Sequence, residues 1–304
     1  MNLSDFTYDI PSSLIAQEPI EPRHNSRLMV VNKESGQIEH KIFHQLSTIL
    51  SSDDVLVVNN TKVLPVRIIA SLKNGGQLEL LLIKQVSNNV NHWLAMAKPL
   101  RKVKVGDKFV LFKDDEEWTI TVIDIIYGQE GFKQLIIDIE DSTKLFSRLN
   151  TFGYAPLPPY IEQDLVARRL DDIANYQTIF AKNYGAIAAP TAGMHFTSEL
   201  LDKLRASNVS IFEITLHVGV GTFKPIVVDE LEKHDMESEI FTIPQNVADS
   251  LNIAKKNNKR IIAVGTTTAR ALESACVNDE LNACNSATTD LYIPLNYLIN
   301  ILSP

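Results

Sequence analysis

The sequence predicts an α/β main domain with an inserted small antiparallel β-barrel domain. Runs of strand and helix character alternate along residues 1–65 and 151–304, which is typical of a sheet covered by helices. Between them, residues 66–150 consist of short β-rich runs separated by turns, and this pattern favours a small antiparallel barrel or sandwich. We therefore expect a discontinuous main domain of residues 1–65 and 151–304, with residues 66–150 inserted into it.

The N-terminal part starts with an extended lead and a short helix. Pro11 and the two serines after it form a helix start, so Leu14 and Ile15 are expected to pack inward. A hairpin over residues 28–43 and a short helix over 45–50 are predicted to follow.

The next predicted strand, residues 55–58, is followed directly by four polar side chains, Asn59, Asn60, Thr61 and Lys62. The carboxyl end of a strand is where an α/β sheet presents the groups that bind a ligand. This segment is therefore a candidate edge of a binding site.

The segment predicted as a barrel contains five β-rich runs, at residues 78–83, 93–97, 108–111, 118–126 and 135–139. Turn signals separate these runs, at Gly75 with Gly76, at Gly106 with Asp107 and at Asp114 with Asp115. The return segment, residues 153–161, is proline-rich and stiff, which suits a domain boundary or the wall of an active site.

Residues 185–223 hold two histidines, four glycines and several threonines between apolar runs. A turn over residues 190–193 leads to a helix with Thr197 as its N-cap, and Leu200, Leu201 and Leu204 form its apolar face. His195 then lies just before the N-terminus of that helix. Apolar and polar residues alternate over residues 212–218, which predicts a half-buried strand with His217 on its polar face.

The C-terminal part continues the alternation, with helices expected at 228–234 and 247–256 and strands at 239–243 and 261–264. A turn of Gly265 and three threonines then opens a helix near Ala269. Free backbone N–H groups and hydroxyls at such a helix start suit a carboxylate or a phosphate.

Composition narrows the class of protein. The chain has 304 residues, 45% of them apolar, which is the balance of a soluble globular protein. Cys276 and Cys284 lack the spacing of a zinc site, and a disulfide framework is not indicated. No signal peptide and no run of 18 apolar residues is present, so we expect a cytoplasmic protein with no membrane partner.

The formal net charge of −8 argues against broad electrostatic attraction to nucleic acid, although it leaves room for a local basic patch. Candidates are Arg23 with Arg27, Lys62 with Arg67, the run 98–104, and Arg168 with Arg169. The alternative for each is an ordinary solvated face.

Seven segments, in this order, resemble the S-adenosylmethionine:tRNA ribosyltransferase-isomerases of queuosine synthesis. They read AQEPIEPRHNSRLMV, VVNNTKVLPVR, PLPPYI, YQTIFAKNYGAIAAPTAGMHFT, ITLHVGVGTFKP, HDMESE and VGTTTARALES. The resemblance covers the chain from its N-terminus to about Tyr292. It implies an α/β main domain with an inserted β-barrel, and transfer of the ribosyl part of S-adenosylmethionine to 7-aminomethyl-7-deazaguanine in tRNA. It implies epoxyqueuosine as the product, with adenine and methionine released.

The partners implied are tRNA and S-adenosylmethionine, the latter as a substrate, with no metal or other cofactor, and we expect a monomer. A sulfonium acidifies the adjacent ribose carbon, so the reaction needs a base and groups that hold the ribose and assist adenine departure. His195 and His217 are the candidate catalytic residues, because imidazoles titrate near neutrality. The alternative for each is a hydrogen-bonded structural histidine.

Further candidates are expected to bind substrate. They are Arg27, Thr191, Gly193, Gly219, Gly221, Thr222, His234, Glu239, Thr266, Thr267 and Arg270. The threonines and Gly193 could equally serve only for turns and caps. Arg270 could hold an anion through its guanidinium fork or merely pair with Glu273 one helical turn on, and His234 and Glu239 could be ordinary surface residues.

Two departures from the family pattern affect these expectations. Glu237 stands where the family often has a second histidine, HxMHxE, which puts any role of that position in doubt. After Tyr292 the chain is unlike the family and apolar, so the sequence predicts an atypical, truncated C-terminus. Its apolar residues, Leu295, Tyr297, Leu298, Ile299, Ile301 and Leu302, are expected either to be buried or to form an exposed patch.

This tail leaves a second hypothesis open, that of an inactive remnant that still binds tRNA or S-adenosylmethionine. A third hypothesis, a nucleotide-dependent enzyme with residues 265–268 as a phosphate cradle, is disfavoured because a Walker lysine is absent.

Overall fold

The structure is a computed structural model, which describes residues 1–71, 76–86, 89–127, 133–162, 168–224, 226, 228–294 and 297–302. The predicted turn residue Gly75 and the tail residue Leu295 lie outside the described residues. None of the helices in these ranges has both the length and the apolar character needed to span a bilayer.

The strands are β1 (Arg27–Val31), β2 (Ile38–Ile42), β3 (Asp54–Asn59), β4 (Thr61–Val63), β5 (Arg67–Ser71), β6 (Gln77–Gln85), β7 (His92–Lys98), β8 (Lys108–Lys113), β9 (Glu116–Tyr127), β10 (Lys133–Asp138), β11 (Gly153–Tyr154), β12 (Asn183–Ala186), β13 (Ser210–Leu216), β14 (Glu239–Ile243), β15 (Arg260–Ala263), β16 (Cys276–Val277), β17 (Glu280–Leu281) and β18 (Cys284–Thr289). The α-helices are α1 (Leu145–Phe152), α2 (Arg169–Asn175), α3 (Ser198–Ala206), α4 (Gln245–Lys256) and α5 (Thr266–Ala275). Short 3₁₀ helices cover Leu3–Phe6, Ser12–Leu14, Arg23–Asn25, Phe43–Thr48, Leu100–Lys102, Ser142–Lys144, Thr191–His195, Val220–Phe223 and Leu231–Lys233.

The chain divides into two compact units. The first comprises Met1–Val63, Pro159–Glu162 and Asn175–Pro304, and the second comprises Leu64–Pro158 and Gln163–Ala174. The second unit thus extends beyond the predicted range 66–150. It does so because Arg169 is buried and its guanidinium donates to the carbonyls of Gly153, at 2.7 Å, and Asn150, at 2.5 Å.

The first unit is built on a five-stranded sheet with the order β15-β3-β13-β14-β18. Strands β15 and β13 pair in parallel with β3, whereas β14 and β18 continue the sheet in antiparallel pairing. Every residue of β3 is buried, as expected for an interior strand of a sheet covered on both faces. Strands β4 and β12 form a separate parallel pair, and β1 and β2 form the predicted hairpin.

A hydrophobic cluster covers part of this sheet. Helix α3 buries Leu200, Leu201 and Leu204, as predicted, against core residues that include Leu56, Val58, Phe180 and Phe196. The Thr197 hydroxyl accepts a hydrogen bond from Leu200 N at 3.3 Å, which confirms the predicted N-cap.

The second unit contains a seven-stranded sheet with the order β11-β5-β6-β7-β10-β9-β8, in which all pairs are antiparallel. Alternate residues of these strands are buried, among them Leu80, Trp118, Ile120 and Leu135. Strand β5 also approaches β8, which lies at the other end of the sheet order. Closure of this sheet into an inserted barrel stays a prediction.

Several local predictions were wrong. Leu14 is 75% exposed, because the short 3₁₀ turn at Ser12–Leu14 does not turn it inward. The strand predicted at 212–218 is β13, which ends at Leu216, so His217 lies beyond the strand and not on its polar face. Over residues 228–234 only a 3₁₀ turn, Leu231–Lys233, forms, and α5 starts at Thr266, before Ala269.

Candidate active site at the carboxyl ends of the parallel strands

The carboxyl ends of β15, β3 and β13 lie side by side in the first unit, because the three strands run in parallel. Asn59 is the last residue of β3, His217 directly follows β13, and Thr267 lies in α5, the helix that follows β15. The neighbours of β3 in the sheet, β15 on one side and β13 on the other, both come later in the chain. The loops at the carboxyl ends of these strands therefore diverge. A sheet forms its ligand crevice at such a switch point.

The Asn59 side chain connects these loops. Its Oδ1 accepts hydrogen bonds from Thr61 N, at 3.0 Å, and Leu216 N, at 3.1 Å. Its Nδ2 donates to Leu216 O, at 2.9 Å, and to the Thr267 hydroxyl, at 3.3 Å. The amide thus makes four hydrogen bonds, its full capacity, and fixes the three segments relative to one another.

His217 follows β13 and is held on two sides. The Nδ1 atom of its ring lies 2.8 Å from the hydroxyl of Thr61, which is fully buried. A Cβ at Gly185 would lie 2.7 Å from the ring, so only glycine leaves room for the imidazole there. Burial lowers the pKa of His217 below its ordinary value of 6.5, which favours the neutral ring at physiological pH.

His195 ends the 3₁₀ turn Thr191–His195 just before α3, as the sequence predicted. Its Nδ1 lies 3.0 Å from the Ser26 hydroxyl, and its ring packs against Phe43 with centroids 5.3 Å apart. The side chain is otherwise exposed. Partial burial and the positive charge of Arg23 lower the pKa of His195 below 6.5, so this ring too is neutral near pH 7.

The turn that carries His195 packs against other parts of the candidate site. A Cβ at Gly193 would lie 3.0 Å from the Thr178 methyl group, so this glycine serves close packing. A Cβ at Gly265, which precedes α5 at a φ of +88°, would lie 3.2 Å from the Ala192 side chain. The structure therefore brings the turn of Thr191 and Gly193 against the start of α5.

Glu239 and Arg270 form a buried ion pair, with Arg270 Nη1 2.6 Å from Glu239 Oε2. Glu239 Oε1 accepts from Gly219 N at 2.9 Å, which holds the backbone two residues after His217. Arg270 also donates to the carbonyls of Leu291, at 3.0 Å, and Thr289, at 3.4 Å. The Arg270 guanidinium thus bonds to groups of the protein itself. The carboxylate it binds belongs to Glu239, and not to Glu273, which the sequence offered as the alternative partner.

Burial raises the pKa of Glu239 above its ordinary value of 4.5, and the neighbouring Glu237 adds to this, while Gly219 N–H and Arg270 oppose it. Glu239 is therefore neither an ordinary surface residue nor placed to reach solvent. It supports the loop after His217.

Glu237, the position at which the sequence departs from the expected HxMHxE pattern, forms an ion pair with Lys224. A Cβ at Gly221 would lie 3.2 Å from the Glu237 side chain. The negative charge is thus compensated locally by a lysine from the glycine-containing segment. His234 lies nearby in sequence and has a buried Nδ1 with no hydrogen-bond partner among the described residues.

The remaining candidates are exposed. Arg27 begins β1, Thr191 and Thr266 begin their helices, and Thr222 lies in the 3₁₀ turn Val220–Phe223. Thr266 lies in the first turn of α5, where backbone N–H groups lack helical partners, and suits an anion.

Of the basic patches expected, two arginines serve the structure. Arg169 is buried, as described above, and Arg23 donates to the carbonyls of Gln177, at 2.5 Å, and Asn175, at 3.1 Å. Lys62 lies over the ring of Tyr184, with Nζ 4.5 Å from the centroid.

Sequence reasoning assigned no role to Ser26 or Gly185, and named Asn59 and Thr61 only as polar residues after a strand. The polar run that starts at the last residue of β3 was the signal that pointed to Asn59 and Thr61. No local signal identifies Ser26, because its partner His195 is 169 residues away in sequence.

His217 after β13 and His195 before α3 are two histidines with lowered pKa values in the first unit, and this pair suits acid–base chemistry. The family model described as "Queuosine biosynthesis protein" matches residues 3–303, so the chain belongs to this family.

The relatives have a common name. The chain is 42% identical to the S-adenosylmethionine:tRNA ribosyltransferase-isomerase of Clostridioides difficile (strain 630), over 99% of this chain and 85% of the relative. It is also 42% identical to the protein of that name from Staphylococcus haemolyticus (strain JCSC1435), over 96% of this chain and 82% of the relative. A crystal structure of an S-adenosylmethionine tRNA ribosyltransferase from Thermotoga maritima is similar at 29% identity and a TM-score of 0.47, covering 98% of this chain and 82% of that one.

Proposed function

We propose that this chain is an S-adenosylmethionine:tRNA ribosyltransferase-isomerase. It transfers the ribosyl part of S-adenosylmethionine to 7-aminomethyl-7-deazaguanine in tRNA and isomerises it, giving epoxyqueuosine in tRNA, adenine and methionine. The family match over residues 3–303 carries this proposal, and relatives about 40% identical support it. It is favoured over an inactive remnant because the match extends over nearly the whole chain.

The overall reaction sets what the site must do. The ribosyl unit loses one hydrogen as a proton and the amine of the tRNA base loses another. Adenine takes up one of the two when its bond to ribose breaks, and the other goes to solvent. The electron pair of the carbon–sulfur bond leaves with methionine, which neutralises the sulfonium. The sulfonium is therefore its own leaving group, and we propose that no metal or further cofactor takes part.

The described residues can supply these steps. His195 and His217 are both neutral near pH 7, so either can accept a proton or donate a hydrogen bond. Thr266 and Thr267 lie at the N-terminus of α5, where the helix dipole and free N–H groups suit the methionine carboxylate or the ribose hydroxyls. Glu239 and Arg270 act through the loop of Gly219 that they hold.

Mass spectrometry of nucleosides tests the proposal. The full chain is incubated with S-adenosylmethionine and tRNA that carries 7-aminomethyl-7-deazaguanine, and the digest is examined for epoxyqueuosine, with adenine release measured in parallel. We expect epoxyqueuosine and adenine in equal amounts. Absence of both products, when the Clostridioides difficile relative forms them in the same assay, would refute the proposed activity.

The protein is proposed to work as a monomer, with tRNA and S-adenosylmethionine as its partners. Light scattering during size-exclusion chromatography, with and without tRNA, checks the stoichiometry. A mass of one chain per tRNA is expected, and a stable dimer would contradict it.

A further inference from the structure

Both candidate histidines have Nδ1 bound to a hydroxyl group, Ser26 for His195 and Thr61 for His217. In a neutral imidazole one nitrogen carries the proton and the other accepts a hydrogen bond. Which nitrogen carries it depends on whether the hydroxyl has its own proton free to donate. The two hydroxyl groups differ in this respect.

The Ser26 hydroxyl donates its single proton to Arg23 O, at 2.9 Å. Its oxygen can then only accept from His195, so Nδ1 of that ring carries the proton. The acceptor is well fixed, because the Arg23 guanidinium bonds to the carbonyls of Asn175 and Gln177. Neutral His195 is thereby left with an unprotonated Nε2.

The Thr61 hydroxyl is fully buried, and within the described ranges its one hydrogen-bond partner is His217 Nδ1. A buried O–H without an acceptor costs more than an unused lone pair, so this hydroxyl donates to Nδ1. The proton of neutral His217 is then on Nε2. Asn59 supports this arrangement, because its amide binds the backbone of both Thr61 and Leu216, the residue before His217.

We propose that His195 and His217 are held in opposite tautomers, with His195 accepting a proton at Nε2 and His217 donating from Nε2–H. Ser26 and Thr61 are then the positioning residues that set the two roles. This inference rests on the proposed function for its chemistry.

The assignment fits the two demands of the reaction. His195 Nε2 takes the proton from the ribose carbon beside the sulfonium, and the electron pair of that C–H bond stays on the carbon. When the bond between adenine and ribose breaks, its electron pair goes to the adenine nitrogen, and the hydrogen bond from His217 Nε2–H stabilises the charge that develops there. His195 then returns its proton to solvent, and adenine takes up the proton lost by the tRNA amine.

NMR tests the tautomers without any substrate. Two-bond ¹H–¹⁵N correlation spectra of the full chain, labelled with ¹⁵N-histidine, are recorded at a pH above the pKa of both rings. Variants H195Q and H217Q identify the two sets of signals. We expect a protonated Nδ1 in His195 and a protonated Nε2 in His217. The same tautomer in both rings, or the reverse assignment, would overturn the proposal.

Variants of the hydroxyl residues test the cause. In S26A, only the ring of His195 is expected to lose its fixed tautomer, and in T61V only the ring of His217. In S26T and T61S, both rings should keep their tautomers. Matched controls are S47A and T48V, since Ser47 and Thr48 donate to the backbone carbonyls of His44 and Gln45 but bond to no imidazole ring. Tautomers unaffected by S26A and T61V would exclude Ser26 and Thr61 as the cause.

Kinetics then separates the positioning role from the function itself. With active enzyme, S26A and T61V should each lower kcat roughly tenfold to a hundredfold, with an unchanged KM for S-adenosylmethionine. Loss of kcat that S26T and T61S fail to restore would contradict the positioning role. The expected tautomers in a protein that forms no epoxyqueuosine would refute the function and leave the tautomer assignment standing.

Discussion

At the scale of single residues, the two histidines differ in what limits the movement of the ring. His195 packs against the aromatic side chain of Phe43, with an angle of 43° between the ring planes. His217 lies against the backbone at Gly185, which cannot move aside. A substitution at Gly185 should therefore affect His217 alone.

G185A is predicted to displace the His217 ring, because the new Cβ would lie 2.7 Å from it and φ is +150°. We expect a stability loss of about 1–3 kcal/mol and at least a roughly tenfold lower kcat. Urea unfolding and the tRNA modification assay measure the two effects.

The matched control is G36A. Gly36 also has a positive φ, +68°, but nothing lies within 4 Å of its Cβ position. Its stability cost should be that of the backbone alone, about 1 kcal/mol, with activity retained. Equal loss of activity in both variants would show that close contact with His217 is not the cause.

Stability should decrease as the pH falls below about 6.5. The pKa of His195 and of His217 is below 6.5 in the folded protein, so the unfolded chain binds more protons in the window just below that value. The contribution of the two neutral rings to folding stability is complete above pH 6.5. It is lost as the pH falls toward the two lowered pKa values. Urea midpoints across this range give the slope, which should be shallower in the double variant H195Q/H217Q. An equal slope in wild type and variant would contradict it.

At the scale of secondary structure elements, the segment after β18 is attached to α5 by one carboxylate. Glu273 is buried in α5 and accepts hydrogen bonds from Asn300 N and Nδ2, Ile301 N and Leu302 N, at 2.9–3.2 Å. Lys255 of α4 donates to Asn300 O at 2.7 Å. Of the apolar residues predicted there, Ile301 is buried and Leu298 is 81% exposed, so the segment is neither wholly buried nor one apolar patch.

E273Q is predicted to release residues 297–302. The amide has one acceptor oxygen where the carboxylate has two, and its NH₂ group would face the N–H donors of this segment. We expect a loss of about 1–3 kcal/mol in unfolding free energy. Hydrogen exchange should become faster at residues 297–302. E280Q, at an exposed position of β17, is the control and should leave exchange unchanged. Unchanged exchange in E273Q would show that Glu273 does not hold this segment.

The elements also show where sequence reasoning succeeds. Helix α3 was predicted with its cap and its buried leucines because the signals lie within one helix, at Thr197, Leu200, Leu201 and Leu204. The end of β13 was misplaced because the alternation of side chains continues to Val218, while pairing with β3 ends at Ile214 and pairing with β14 ends at Leu216. Local pattern does not determine where a neighbouring strand stops.

The contacts that organise the candidate site join distant parts of the chain and have no local signal. Thr61 and His217 are 156 residues apart, and Arg270 finds Glu239, 31 residues away, although Glu273 is much nearer in sequence. Pairing of this kind follows from strand order, which the alternation of elements does not specify.

At the scale of the whole molecule, the net charge of −8 opposes the approach of tRNA, so binding must depend on a few local basic groups. We predict that KM for tRNA rises with salt, with about three phosphates contributing to a log–log slope of about 2. KM for S-adenosylmethionine should change little. Steady-state kinetics over a salt series measures both, and a KM for tRNA independent of salt would contradict this prediction.

The amide of Asn59 has a consequence for protein synthesis. Its partners Leu216 and Thr267 lie 157 and 208 residues further along the chain, and β3 has no neighbour in its sheet until β13 has been made. During translation, β3 leaves the ribosome with both edges unpaired and remains so while more than half of the chain is added. A nascent chain halted before Thr267 would therefore contain both histidines but not the completed crevice.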